Sequence, residues 1–110
     1  MTDKIVVLSA CASPEEAERI ARMLVEKRLA ACVNILPGVR SIYRWNGVVE
    51  NEAEVALVIK SSRALFNQLR MELERMHSYE VPEAIAIAVV EGSERYLGWM
   101  ERELVGEQEA

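Results

Sequence analysis

Histidine occurs once in this chain of 110 residues, as His77, and cysteine twice, as Cys11 and Cys32. A single imidazole excludes a zinc site that takes two His from one chain, and it limits Cys/His catalysis to one general base. Two thiols make no disulfide framework, and a reducing compartment would leave both free. Basic charge is also scarce: thirteen Lys and Arg against eighteen Asp and Glu give a net charge of −5. Without a basic field to displace counterions from phosphates, the balance argues against a nucleic-acid partner, and equally against an anionic membrane surface. The longest uninterrupted apolar run, Ala84 to Val90, falls far short of the ~20 residues of a membrane span. Strand-like sequence starts almost at once, with no charged leader and long apolar segment before it, so the expected compartment is the cytoplasm. No Gly-rich phosphate cradle and no nucleophile elbow occurs, and the expectation is a protein without enzymatic activity.

What is present is an ordinary globular composition, 51% hydrophobic and 28% charged, enough for one core. The expectation is one domain over residues 1–105, with 106–110 as a fraying tail. Lys4 to Ser9 has the short, β-branched, apolar pattern of a strand buried on both faces. Ser13, Pro14 and Glu16 open a helix over 14–29, with Ser13 as cap, Pro14 at the first helical position and Glu16 closing a capping box. Ala17, Ile20, Ala21, Leu24 and Val25 recur at helical spacing. From Cys32 the period becomes that of a strand, bent at Pro37-Gly38 and resumed to Trp45. Asn46-Gly47 marks a type I′ hairpin, since both turn residues must take positive φ. The return strand ends near Lys60, and Ser61 or Ser62 caps a second helix bearing Leu65, Leu69, Leu73 and Met76. Ala84–Val90 is a further strand, and Ser93 caps a last helix with Tyr96, Leu97, Met100 and Leu104. This order, β-α-β-β-α-β plus a helix, predicts an α+β, ferredoxin-like fold: an antiparallel sheet with helices on one face and an added C-terminal helix.

The hairpin is too long for such a domain. Ala31 to Trp45 spans ~50 Å at ~3.3 Å per residue, whereas a compact chain of this length is only ~34 Å across. The tip, carrying Ile42, Tyr43, Trp45, Val48 and Val49, should project beyond its own core. Each large apolar side chain is worth ~1.5–3 kcal/mol when buried, and an unpaired apolar edge invites aggregation. The expectation is a homo-oligomer built through residues 38–58.

Several strings together resemble the CutA family of divalent-cation tolerance proteins: Leu29-Ala30-Ala31-Cys32-Val33-Asn34-Ile35, Ser41-Ile42-Tyr43-Arg44-Trp45, His77-Ser78-Tyr79-Glu80-Val81-Pro82-Glu83, and Tyr96-Leu97 with Trp99. The resemblance covers nearly the whole chain. It implies a homotrimer of ferredoxin-like subunits formed through the long hairpin, a non-enzymatic role tied to copper and other divalent metals, and an architecture similar to the PII signalling proteins. In copper-binding members the ligands resemble a Cys at the end of the first strand and one or two His before a Pro-Tyr pair. Those positions fall here on Ser9, with Cys11 as the nearest thiol, and on Met76 and His77, with Ser78 in place of the Pro.

His77 is accordingly the leading metal candidate, followed by Met76, Ser9, Cys11 and Glu80. Imidazole suits copper, a thioether suits Cu(I), and carboxylates can complete a borderline site. The competing reading makes His77 a C-cap, Met76 a core residue and Cys32 a small buried hydrophobe. Cys11, on a loop next to a helix N-terminus, is the better placed thiol to react, against the reading that it is a plain loop residue. Tyr43, Arg44, Trp45, Lys60, Tyr79 and Glu83 are expected to border a cleft between subunits, where Arg44 and Lys60 could hold an anion. Alternatively the same residues only seal the interface. Three functions stay open: a metal-tolerance protein, a PII-like sensor of a small molecule or anion, and a Cys11/His77 acyl-transfer enzyme, for which no group orienting His77 is evident.

Overall fold

The computed structural model describes residues 2–105; the tail expected at 106–110 lies outside them. Four strands form one antiparallel sheet in the order β2-β3-β1-β4, with β1 Lys4–Cys11, β2 Cys32–Trp45, β3 Val48–Ser62 and β4 Ile85–Ala88. Three helices, α1 Pro14–Glu26, α2 Phe66–Met76 and α3 Glu94–Glu103, complete the expected ferredoxin-like order with its extra helix.

Alternation along the strands sets the two faces of the sheet. Val7 and Cys11 of β1, with Val55, Leu57 and Ile59 of β3, are buried with Ala17, Ile20 and Leu24 of α1 and Leu69 and Leu73 of α2. The other face, with Val6, Leu8, Ala56 and Val58, is only half-buried, and at one end its Lys4 and Lys60 side chains reach Glu101 and Tyr96 of α3. β1 is therefore not buried on both sides as expected.

α1 begins as the sequence predicts. Pro14 starts it, and the Ser13 hydroxyl accepts from the Glu16 N–H. It ends three residues earlier than expected, in a Schellman motif. The Leu29 N–H reaches the Leu24 carbonyl and the Arg28 N–H the Val25 carbonyl, with Arg28 at φ 61° where glycine is usual. The Arg28 guanidinium then caps α3 by donating to the carbonyls of Arg102 and Glu103. Neither serine caps α2. β3 runs through Ser62 into a single 3₁₀ turn at Arg63–Leu65, with no side-chain cap there, and Ser61 donates to the Leu29 carbonyl instead.

β4 is four residues rather than the seven of its apolar run, and Ile85 and Ile87 are exposed. It is an edge strand paired only with β1. The hairpin meets expectation. Asn46 (φ 49°) and Gly47 (φ 80°) make the left-handed turn. β1 pairs with β3 only from Val55 to Ser62, so residues 39–54 form a two-stranded ribbon running past the sheet. The molecule measures 44 Å along its longest axis. A bulge separates ribbon from sheet: Leu36 faces Ala56 and Val39 faces Glu54, so Pro37 and Gly38 together oppose one residue. Gly38 takes φ 82° to allow this.

Candidate functional site

Two adjoining features lie where the ribbon leaves the sheet. The first is buried. Cys11 ends β1, Glu16 is in the first turn of α1, and His77 follows α2; one ligand atom from each lies within 4.8 Å of the other two. The Glu16 carboxylate accepts from the Ala12 N–H at 3.2 Å and the Ser78 N–H at 2.7 Å, tying the β1–α1 turn to the segment after α2. Burial alone would push its carboxyl up. The hydrogen bonds from Ser78 and Ala12, with His77 nearby, outweigh that and hold it below the usual carboxylate range. The His77 side chain is fully enclosed. Its Nδ1 accepts from the Tyr79 N–H at 3.1 Å, so Nε2 carries the hydrogen and donates to the Ala10 carbonyl at 2.8 Å. Both ring nitrogens are thus engaged, and at 3.9 Å the Glu16 carboxylate is a neighbour rather than a hydrogen-bond partner of Nδ1.

Cys11 does not lie on the expected loop. It is the last residue of a strand and has no exposed surface. Burial first, then the charges of Glu16 and Glu54, push its thiol up to about 12, so the α1 dipole does not make a thiolate here. Native protein treated with iodoacetamide at neutral pH should therefore leave Cys11 unlabelled, whereas the same treatment in guanidinium should alkylate it. Peptide mass spectrometry checks this, and rapid native labelling of Cys11 would contradict it. Cys32, read as buried, is half-exposed at the start of the edge strand β2.

The second feature is a cavity of about 570 Å³ between the ribbon and the 78–83 segment. Tyr43 and Trp45 from β2, Tyr79, and the carboxylates of Glu54, Glu80 and Glu83 line it. The Tyr79 hydroxyl donates to Glu54 Oε2 at 2.5 Å, and its ring lies 4.7 Å from the His77 ring, so the two features share a wall. Burial, and then the hydrogen bond and charge of Glu54, raise the Tyr79 phenol strongly. Tyr43 is raised as well, by partial desolvation and then by Glu52, Glu54 and Glu50. Register explains why: Tyr43 faces Glu50 and Ser41 faces Glu52, and directly opposite residues share a face.

The expected cleft residues divide accordingly. Tyr43, Trp45, Tyr79 and Glu83 come together in the cavity, and Glu80 joins them there rather than the buried cluster. Arg44 lies on the opposite ribbon face, where it donates to the Gly47 carbonyl. Lys60 faces Cys32 at the far end of β3, with its ammonium 5.8 Å from the Tyr96 ring centroid. Arg44 pairs with Val49, eleven residues from Lys60 along β3, or about 36 Å at ~3.3 Å per residue. The two cations cannot hold one anion within a chain. Met76 ends α2 packed against the core. Ser9 is buried on the same side of β1 as Cys11, with no partner for its hydroxyl among the described residues. Glu16 and Glu54 were the residues that sequence reasoning missed as site groups. Glu16 signalled only a capping box, and it reaches one residue further back than that motif requires.

A family model described as CutA1 divalent ion tolerance protein matches residues 5–103. The chain belongs to the CutA1 family. Divalent-cation tolerance protein CutA of Thermus thermophilus is 46% identical over 95 residues, which is 86% of this chain and 92% of that protein. Among solved structures, CutA from Xylella fastidiosa superposes with a TM-score of 0.92 at 41% identity, covering 94% of this chain and 100% of that one. A structure described as the periplasmic divalent cation tolerance protein CutA from Archaeoglobus fulgidus superposes at 0.89 with 39% identity, covering 91% and 97%. For this CutA1-family chain, the ferredoxin-like subunit read from the sequence agrees with these relatives.

Proposed function

We propose that this CutA1-family protein is a non-enzymatic, homotrimeric, cytoplasmic metal-responsive protein whose ion is copper, received at Cys11, Glu16 and His77. The observation carrying this reading is the convergence of a thiol, an imidazole and a carboxylate within 4.8 Å in a buried position. That mixed sulfur, nitrogen and oxygen set suits a soft-to-borderline ion rather than Mg²⁺ or Ca²⁺. Ser9 and Met76 stand next to these residues in sequence and are secondary candidates; Glu80 lies toward the cavity. Every donor is already engaged. An arriving ion must displace the Cys11 proton and compete with the backbone N–H groups of Ser78 and Tyr79, so occupancy would loosen the 77–83 segment. A metal signal could thereby reach the neighbouring cavity.

The same engagement argues against catalysis, because the thiol is protonated and the imidazole is committed to two backbone groups. Unpaired cysteines fit a reducing compartment, although the Archaeoglobus protein is described as periplasmic. The trimer is supported by the projecting ribbon and by the half-buried apolar face of the sheet. A PII-like sensor of a small molecule or anion is the second reading, favoured by the cavity; an anion held by Arg44 and Lys60 would need the two side chains to come from different subunits.

Anaerobic competition titrations with Cu(I) and Cu(II) test the metal assignment on the wild type, His77→Ala and Cys11→Ser. Binding tighter than about micromolar, equivalent to ~8.2 kcal/mol, should disappear in both variants while circular dichroism shows them folded. Equal affinity in all three proteins would sink it.

A further inference from the structure

We propose that the cavity between the β2–β3 ribbon and residues 78–83 is a binding site for a small organic cation, an aliphatic amine carrying one or more ammonium groups. The walls decide the class. Tyr43, Trp45 and Tyr79 present aromatic rings, and Glu54, Glu80 and Glu83 present carboxylates. Among the described residues, no Lys or Arg lines it; the two arginines of the outer β2 strand turn to the other ribbon face, where Arg40 donates to Asn51 and Arg44 to the Gly47 carbonyl. Aromatic faces attract cations and make apolar contact with methylene groups, while carboxylates accept from ammonium N–H. An anion would meet only like charge.

Size and spacing separate an organic cation from a bare metal ion. The cavity, about 570 Å³, falls in the range of pockets for small molecules and far exceeds one ion. Cys11, Glu16 and His77 are the only group of three potential metal-ligating side chains that converge among the described residues. The cavity's own carboxylates therefore do not converge as a group of three around one ion, whereas they can serve an elongated ligand with separated charges. Tyr79 already spends its hydroxyl on Glu54, so its ring is held in place before a ligand arrives, and little side-chain entropy remains to be lost on that wall.

The site is distinct from the copper reading and needs no metal, so it is tested in metal-free buffer with chelator. The probe is putrescine, with 1,4-butanediol as its uncharged analogue and MgCl₂ at matched ionic strength as the inorganic cation. Calorimetry on the whole protein should show putrescine binding once per chain with Kd below about 1 mM, and the diol not at all. The Trp45 indole N–H resonance should shift on binding. Trp45→Leu and the exposed Glu83→Gln should each weaken binding by about tenfold, as expected for losing one cation–π or charged contact. If Trp45→Leu fails to fold, Glu83→Gln carries the test. Putrescine binding no tighter than the diol, displacement by Mg²⁺ at equal ionic strength, or unchanged affinity in the folded variants would overturn the assignment. Failure here leaves the copper titration untouched, and the reverse also holds.

Discussion

Ile42→Glu combined with Val49→Glu should convert the protein from a species of about 37 kDa, three times the 12.4 kDa chain, to a folded monomer. Ile42 is 71% and Val49 61% exposed in the single subunit. Register puts them on the same ribbon face, opposite Asn51 and Arg44, and away from Tyr43 and Trp45. Substituting them removes no contact of the subunit's own core, so far-ultraviolet circular dichroism should stay unchanged. In the proposed trimer each of these side chains contributes ~1.5–3 kcal/mol by burial. Placing a carboxylate there instead adds the cost of burying an unpaired charge. Repeated around a three-fold axis, that loss exceeds what a standard interface retains, and the complex should separate at micromolar concentration. Sedimentation equilibrium decides it. A double variant that still sediments as a trimer would place the assembly contacts elsewhere, with the half-buried Val6, Leu8, Ala56 and Val58 face of the sheet the next surface to mutate.

Glu16→Ala should be the most damaging single substitution outside the apolar core, at about 2–4 kcal/mol of unfolding free energy. The carboxylate ties together two backbone N–H groups far apart in the chain: Ala12 on its own turn and Ser78 beyond α2. Hydrogen bonds to a charged acceptor contribute ~1.5–3 kcal/mol each, and deleting the acceptor leaves both donors unpaired. Exposure of the flanking residues lets water replace part of the loss, which sets the upper limit. Glu16→Gln keeps one acceptor oxygen but turns an amide N–H₂ toward the other donor, so it should fall between wild type and alanine. Guanidinium unfolding at fixed protein concentration measures both. A change under about 0.5 kcal/mol for Glu16→Ala, the ordinary range for a surface position, would show that the tie carries no stability.

The architecture was legible because several local signals agreed with one another. Ser13-Pro14 placed the start of α1, Asn46-Gly47 placed the hairpin turn, and the excess length of β2 foretold a ribbon that the sheet cannot cover. Boundaries failed where tertiary context overrode propensity. α1 stops early because Arg28 adopts a left-handed conformation usually left to glycine. The run Ala84–Val90 read as one apolar strand, but only Ile85–Ala88 form it, at the edge of the sheet. The candidate site was legible by segment and not by partner. Tyr43, Trp45, Tyr79 and Glu83 did come together, while Arg44 and Lys60 were separated because strand alternation and register, rather than sequence proximity, decide which side chains meet. Glu54 could not be singled out, since its role depends on a phenol arriving from 25 residues away. Cys11, read as a loop residue, instead ends β1, where nearness to a helix N-terminus matters less than the desolvation and acidic neighbours that the fold supplies.

The bulge at Pro37-Gly38 also gives the ribbon a tolerance that acts in one direction only. Strand side chains change face whenever their register slips by one residue, which ordinarily makes a strand intolerant of length changes. Here β2 holds one surplus residue opposite Val55. If descent removed a residue between Pro37 and Trp45, the ladder could close up by absorbing that surplus, and everything on the turn side of the lost residue would keep its face. An added residue has no such reserve to draw on; it would need a second bulge or would turn part of the strand over. Shortening of this arm is therefore the change its backbone can accommodate, and lengthening by one is the change it resists.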